Sequence, residues 1–301
     1  MELANLILKK AEEYKDYSAN NLSKLIQIKS LSRQEREVAH AMKRMMEEAN
    51  FDEVRIDGFG NVIGRIGRGK KIIAIDGHID TVDLGNLNAW EFDPLGGEIQ
   101  NGFVLGRGAA DQTGGPVAAI TAGKVIKEVG LPDDVTLFVT GTVMEEDCDG
   151  LCWKYIIEEE KIKPDCVIVT EPTNLNIYRG HRGRMEIEVS FYGLSSHGSA
   201  PERGQNAIYM ASRAALEIEK LNEKLTNDPF LGKGSITVTE FVSSSPSLCA
   251  VSDFAKIHLD RRLTLGEDKE LALNQIEEIV EGMNAKIELL NYKEKAYTGL
   301  E

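Results

Sequence analysis

Long apolar runs, paired cysteines and a basic surplus are all missing from this 301-residue sequence. No stretch of about 18 apolar residues occurs, which excludes a membrane-spanning helix and leaves no membrane partner to expect. Met1-Glu2-Leu3-Ala4-Asn5 meets Lys9-Lys10 and Glu12-Glu13 before any apolar core of signal-peptide length, so no secretory leader is read there. Cysteine is scarce. Cys148, Cys152, Cys166 and Cys249 form no Cys-x-x-Cys pair, and a chain of this size needs no disulfide staples. These absences lead to the expectation of a cytoplasmic protein, with Cys148 and Cys152 read as buried free thiols. Cations are in deficit, 35 Lys and Arg against 49 Asp and Glu, and the net charge of −14 argues against a nucleic-acid partner.

What is present reads as an ordinary globular chain, 42% hydrophobic and 28% charged, long enough for two domains. Up to about Asn50 the pattern is helical, with Arg36, Ala39, Met42, Met45 and Met46 near helical spacing. Short β segments follow, at Val54-Arg55-Ile56, at 61–66 and at 71–75. The last of these is an apolar run of the kind found in strands covered on both faces. A helix is predicted over 116–129, opened by Gly114-Gly115 with Pro116 in its first turn. Segments 135–140 and 166–170 read as two more buried strands, with a helix over 152–161 between them. Beyond Thr173 the texture changes: Met185-Glu186-Ile187-Glu188-Val189-Ser190-Phe191 alternates strictly, as a strand with one wet face does. A helix, two strands, a helix and a strand complete a βαββαβ order, the ferredoxin-like module. The fold class is therefore α/β, a mainly parallel sheet with helices on both faces plus an inserted α+β module. The expected boundaries are 1–179, 180–291, and 292–301 as the start of a return to the first domain.

Polar residues gather just after the apolar strands, where open α/β sheets build their sites. His78 and Asp80 stand two apart at a strand end and face one side. Taken alone, such a pair is more often a satisfied structural histidine than a metal ligand with its supporting carboxylate. Gly106 to Gly115 is glycine-rich, but Asp111 takes the place of a third glycine. A carboxylate there would repel a pyrophosphate and suit a cation; it would equally suit a helix cap. Glu145-Glu146-Asp147 follows a further strand and reads as a solvated helix start or, beside a metal, as a ligand and a general base. Glu171 closes a fourth strand. Four strand ends carrying His, Asp, Glu and Glu together suit two divalent ions sharing a bridging carboxylate.

Competing chemistries fare worse. Gly64 to Lys71 nearly spells a phosphate-binding loop, yet Lys71 stands where Ser or Thr should be and a strand follows instead of a helix. No Gly-x-Ser-x-Gly elbow is present. None of the four cysteines lies beside a histidine in sequence.

His78-x-Asp80, Gly108-x-x-Asp111, Glu145-Glu146 and Glu171-Pro172 fall in one order. Ser196-His197-x-Ser199-x-Pro201, Gly204-x-Asn206-Ala207 and Asp260-x-Arg262 follow them. Over nearly the whole chain this pattern resembles the di-zinc family of aminoacylases, acetylornithine deacetylases, succinyl-diaminopimelate desuccinylases and glutamate carboxypeptidases. The resemblance implies a zinc-peptidase-like first domain and a lid or dimerisation domain, hence a homodimer. It implies that His78, Asp111 and Glu171 hold one ion and that Asp111 and Glu146 hold the other. Glu145 would be the general base, and Asp80 would orient His78. His197 and Asn206 would serve substrate binding, and Arg262 would meet a substrate carboxylate through its planar fork. The ions would be zinc, with cobalt and manganese also fitting the donors. The substrate would be an N-acyl or N-carbamoyl amino acid or a short peptide.

The family draws its last zinc ligand from a histidine near its C-terminus. Here the histidines are His40, His78, His181, His197 and His258, with none later. The expectation is a chain that ends before that ligand, its second metal site one donor short. Two function classes follow: an amidohydrolase, and a non-catalytic relative or fragment that binds metal and dimerises without turnover.

Overall fold

Val62 and Ile63 are neighbours that enter different cores, and so are Ile73 and Ala74, and Leu137 and Phe138. Side chains of a strand alternate between faces, so this division means a sheet covered on both sides. The computed structural model describes residues 2–148 and 150–297. They divide into two compact units, Met1–Leu175 and Asn176–Glu301.

The first unit holds strands β1 (Glu53–Ile56), β2 (Val62–Gly67), β3 (Lys71–His78), β4 (Val135–Thr142) and β5 (Cys166–Val169). Their order in the sheet is β1-β2-β4-β3-β5. The half that carries the candidate site is parallel, β4 with β3 and β3 with β5, while β1 and β2 join antiparallel. Helices α1 (Glu2–Glu13), α2 (Lys15–Ile26), α3 (Arg36–Glu48) and α4 (Gly114–Val129) precede β4. Met42, Met45 and Met46 of α3 and Val117 and Ile120 of α4 fill the larger core with Val62, Leu137 and Val139. The opposite face is closed by Ile156 of α6 (Leu151–Glu158) and by Ile162, against Ile63, Ala74 and Phe138. The four-residue helix α5 (Glu145–Cys148) links β4 to this side.

The apolar run at 166–170 predicts a buried strand, and the structure corrects this. β5 is the edge of the sheet, and all four of its residues are exposed. Apolarity marks a strand, but whether anything lies beside it is decided by the rest of the fold. The cysteine reading is corrected in the same way: Cys152 is buried, Cys148 only partly so, and Cys166 and Cys249 are exposed.

The second unit runs β6 (Gly183–Tyr192), α7 (Ala207–Lys224), β7 (Ser235–Ser244), β8 (Phe254–Leu263), α8 (Lys269–Val280) and β9 (Ala285–Lys293). The sheet order β7-β8-β6-β9, antiparallel throughout, is the ferredoxin-like arrangement. One face of β6 and β8 packs Met185, Ile187, Val189, Ile257 and Leu259 against Ala211, Ala214 and Ile218 of α7 and Ile276 of α8. In the segment expected to turn back at 292, β9 continues to Lys293 and Ala296–Tyr297 pairs with Gly180–His181. Residues 298–301 lie outside the described residues.

Candidate active site

Parallel strands end together, and this sheet places its chemistry at that common end. His78 is the last residue of β3 and pairs in register with Thr142, the last of β4. The β4 strand leads through Val143 and Met144 into Glu145 and Glu146 at the head of α5. Glu171 follows β5 by two residues, and Asp111 sits in the glycine-rich turn before α4. Thr113, not Asp111, stands at the N-cap of α4, and no side chain caps it. The helix-cap reading of Asp111 therefore drops out, and its carboxylate faces the imidazole of His78 instead.

His78 is 2% exposed. Its Nδ1 lies 2.9 Å from the main-chain oxygen of Asp80 and 3.5 Å from the Asp80 carboxylate. A carbonyl can only accept, so Nδ1 carries the hydrogen and Nε2 is left to face the acids. Asp111 Oδ1 is 3.1 Å from Nε2, and Glu145 Oε2 is 3.8 Å from it. Donor atoms of His78, Glu145 and Glu171 lie within 4.8 Å of one another, and so do those of His78, Asp111 and Glu146. The five residues thus come together as two overlapping groups that share His78. One imidazole nitrogen with surrounding carboxylate oxygens is a donor set suited to a divalent ion.

The electrostatics agree with that chemistry. Burial raises the Glu146 and Glu171 carboxyls above the usual range; the positive His78 opposes this, and neighbouring acids such as Asp111 add to it. A cation at this place would relieve the mutual repulsion. Asp80 is fully buried, and its carboxylate is lowered despite that burial because His78, Ser32 and the N–H of Glu145 all bind it. Ser32 Oγ donates to Asp80 Oδ2 at 2.7 Å, while the Glu145 and Glu146 N–H groups donate to Asp80 at 3.1 and 3.2 Å. The loop that supplies Ser32 is tied down by Thr81 N–H to the Ser30 oxygen at 2.7 Å.

Sequence reasoning passed over several residues here. Gln112, 1% exposed, donates to Glu171. Glu35 accepts the N–H of Met144 at 3.0 Å, and Met144 has φ +60°, a backbone state rare for its type. Asp76, two before His78, accepts from Thr140 Oγ1 at 2.5 Å. None carries a local signal, because each partner lies far away in sequence.

The three remaining predicted residues belong to the second unit and are described within it. His197 is exposed, its Nδ1 2.8 Å from Ser199 Oγ. Asn206 caps α7, its Oδ1 accepting the N–H of Ile208 at 2.9 Å. Arg262 lies on interior strand β8, where Nε and Nη2 grip both oxygens of Asp260 at 2.7 and 2.9 Å.

Residues 74–270 match the model of Peptidase family M20/M25/M40. The chain belongs to that family. Like other members of the M20/M25/M40 family, it is a metal-dependent hydrolase acting on amide bonds. It is 48% identical over 297 residues to "Uncharacterized protein YgeY" of Escherichia coli (strain K12), covering 98% of this chain and 74% of that protein. A "Probable succinyl-diaminopimelate desuccinylase" of Staphylococcus epidermidis is 29% identical over 192 residues, covering 62% of this chain and 47% of that protein. Among solved structures, the M20 family metallo-carboxypeptidase Sso-CP2 from Sulfolobus solfataricus matches with a TM-score of 0.71 at 19% identity, over 93% of this chain and 79% of that one. Human carnosine dipeptidase 1 matches with a TM-score of 0.71 at 14% identity, over 100% of this chain and 82% of that one. These two likenesses speak for the fold.

Proposed function

We propose that the chain hydrolyses an amide bond next to a free carboxylate, in an N-acyl or N-carbamoyl amino acid or a short peptide. Two divalent ions, zinc first among the candidates, would be held by His78, Asp111, Glu146 and Glu171, the second site being one donor short. The reading is carried by one observation: His78 Nε2, buried and with its other nitrogen committed, is surrounded by carboxylates from three other segments. When bound, such ions polarise the amide carbonyl and acidify a water.

The protein's own part is proton handling and alignment. Glu145 has a carboxylate about one-third exposed at the site, so it can accept a proton from an incoming water and later return it to the leaving nitrogen. Glu146 shares its donor group with Asp111 and His78, a ligand's position. Asp80 seats the imidazole through its carbonyl and fixes the start of α5 through its carboxylate. In this reading the substrate carboxylate goes to Arg262, whose fork Asp260 already holds flat.

The test is a substrate panel on the chain stripped of metal and reloaded with zinc, cobalt or manganese. N-acetyl, N-succinyl and N-carbamoyl amino acids and dipeptides are compared with the same compounds carrying an amidated carboxylate. Turnover confined to the free acids supports the proposal. Equal turnover of acids and amides removes the carboxylate requirement, and no turnover with any metal overturns the reading.

A further inference from the structure

Gln112 lies beneath Glu171 in an arrangement that a bare ligand set does not require. Its Nε2 donates to Glu171 Oε1, and its Oε1 accepts from Thr170 Oγ1 at 2.9 Å. The partners decide which way the amide points. A carboxylate only accepts, so the NH2 group faces Glu171 and the carbonyl is left to the hydroxyl. Thr170 is itself fixed, because its N–H donates to the main-chain oxygen of Asp76 at 2.9 Å.

Two glycines make room for this pair. A Cβ on Gly77 would stand 2.5 Å from both Gln112 Oε1 and Thr170 Oγ1. A Cβ on Gly115 would stand 2.1 Å from Thr170 Oγ1. Neither glycine has the positive φ that calls for glycine on backbone grounds. Their function is space: β3 and α4 both give up a side chain where the Gln112–Thr170 contact passes.

We infer that Gln112 is a positioning residue that aims Glu171 at a divalent cation. This rests on reading Glu171 as a ligand. By holding one carboxylate oxygen, the amide leaves the other free for a metal. A neutral donor suits the task because a lysine or arginine would cancel the charge the cation needs. Hydrogen bonds of this kind orient metal-ligating side chains, and their loss typically weakens metal binding about 10–100-fold.

The test compares the full chain with its Gln112→Met variant, which keeps similar bulk and loses both hydrogen bonds. Each is stripped of metal and titrated with Co2+, followed by visible absorption. The expected result is a fall of about 10–100-fold in the affinity of one Co2+ site, with an altered ligand-field band. The melting temperature of the metal-free variant should stay near that of the parent. If Gln112→Met does not fold, Thr170→Val carries the test, and a fall of about tenfold in Co2+ affinity is expected. Unchanged affinity and spectrum in a folded variant overturn the inference while leaving Glu171 a ligand. A parent chain that shows no Co2+ spectrum overturns the metal reading of the site, and this inference with it.

Discussion

Asp80 Oδ1 accepts the backbone N–H of Glu145 at 3.1 Å, so the residue that seats the imidazole also sets where the helix of the two glutamates begins. The carboxylate binds both N–H groups and Ser32, and the carbonyl of the same residue binds His78. Asp80→Asn cannot accept from every partner, because its NH2 group is a donor among donors. Metal affinity should fall about 10–100-fold. The amides of Glu145 and Glu146 should exchange hydrogen faster. A metal titration and hydrogen exchange check this; parent behaviour in both would show that Asp80 is dispensable.

Glu145 and Glu146 are adjacent but fall into different donor groups, so they should fail differently. Glu145→Gln keeps the shape and cannot take a proton, and turnover should drop about 10²–10⁴-fold with metal content intact. Glu146→Gln should lose metal, with activity partly restored at high metal concentration. Metal analysis beside steady-state kinetics separates the two, and the reverse pattern exchanges their roles.

His78 is held as a cation in the metal-free chain. Burial alone would lower its pKa, but Asp80, Glu145 and Glu171 together carry it up to about 10. The folded value lies above the unfolded one near 6.5. The resulting stability is therefore complete below about pH 6.5 and is lost as pH rises through about 10. Metal must displace that proton, so affinity should rise about tenfold per pH unit across this window. Calorimetry in two buffers of different ionisation enthalpy should find a proton released on metal binding near pH 7. Release of none would remove His78 from the ligand set.

Arg261 and Glu267 form a buried ion pair at 2.8 Å, each side chain 1% exposed. Glu267 also accepts the N–H of Thr264 at 3.0 Å. Glu267→Ala leaves a guanidinium without its counter-charge and should cost about 3–5 kcal/mol in urea unfolding. The double change Arg261→Met with Glu267→Leu should recover most of it. A single variant as stable as the parent would show that the pair is not closed to water in solution.

Cys152 is buried at 2% exposure, and burial pushes its thiol up to about 12. A thiol reagent near pH 8 should label Cys166 and Cys249 quickly and Cys152 only on unfolding. Mass mapping of the labelled peptides reads this out.

The strands of the parallel half and their polar ends were legible because runs such as Ile72-Ile73-Ala74-Ile75 give way abruptly to Asp76-Gly77-His78. That rule singled out His78, the Glu145-Glu146 pair and Glu171, Asp111 came from the glycine-rich turn, and the roles expected of them came from the family pattern. Gln112 was not legible, since its partners stand 58 and 59 residues away. Asn206 matched a motif, but a cap needs only local backbone, and the structure shows it serving one. Arg261 could have been found: it occupies the phase of Ala255, Ile257 and Leu259, so alternation alone places a charge in the core.

Among the described residues, the outer rim of β5 has no strand beside it. Val167, Ile168 and Val169 lie there at 39%, 51% and 55% exposure. An apolar strand with unsatisfied main-chain groups is a template for any chain that can add to it, a second molecule of this one included. Solubility should therefore be sensitive to this rim, which ends two residues before Glu171.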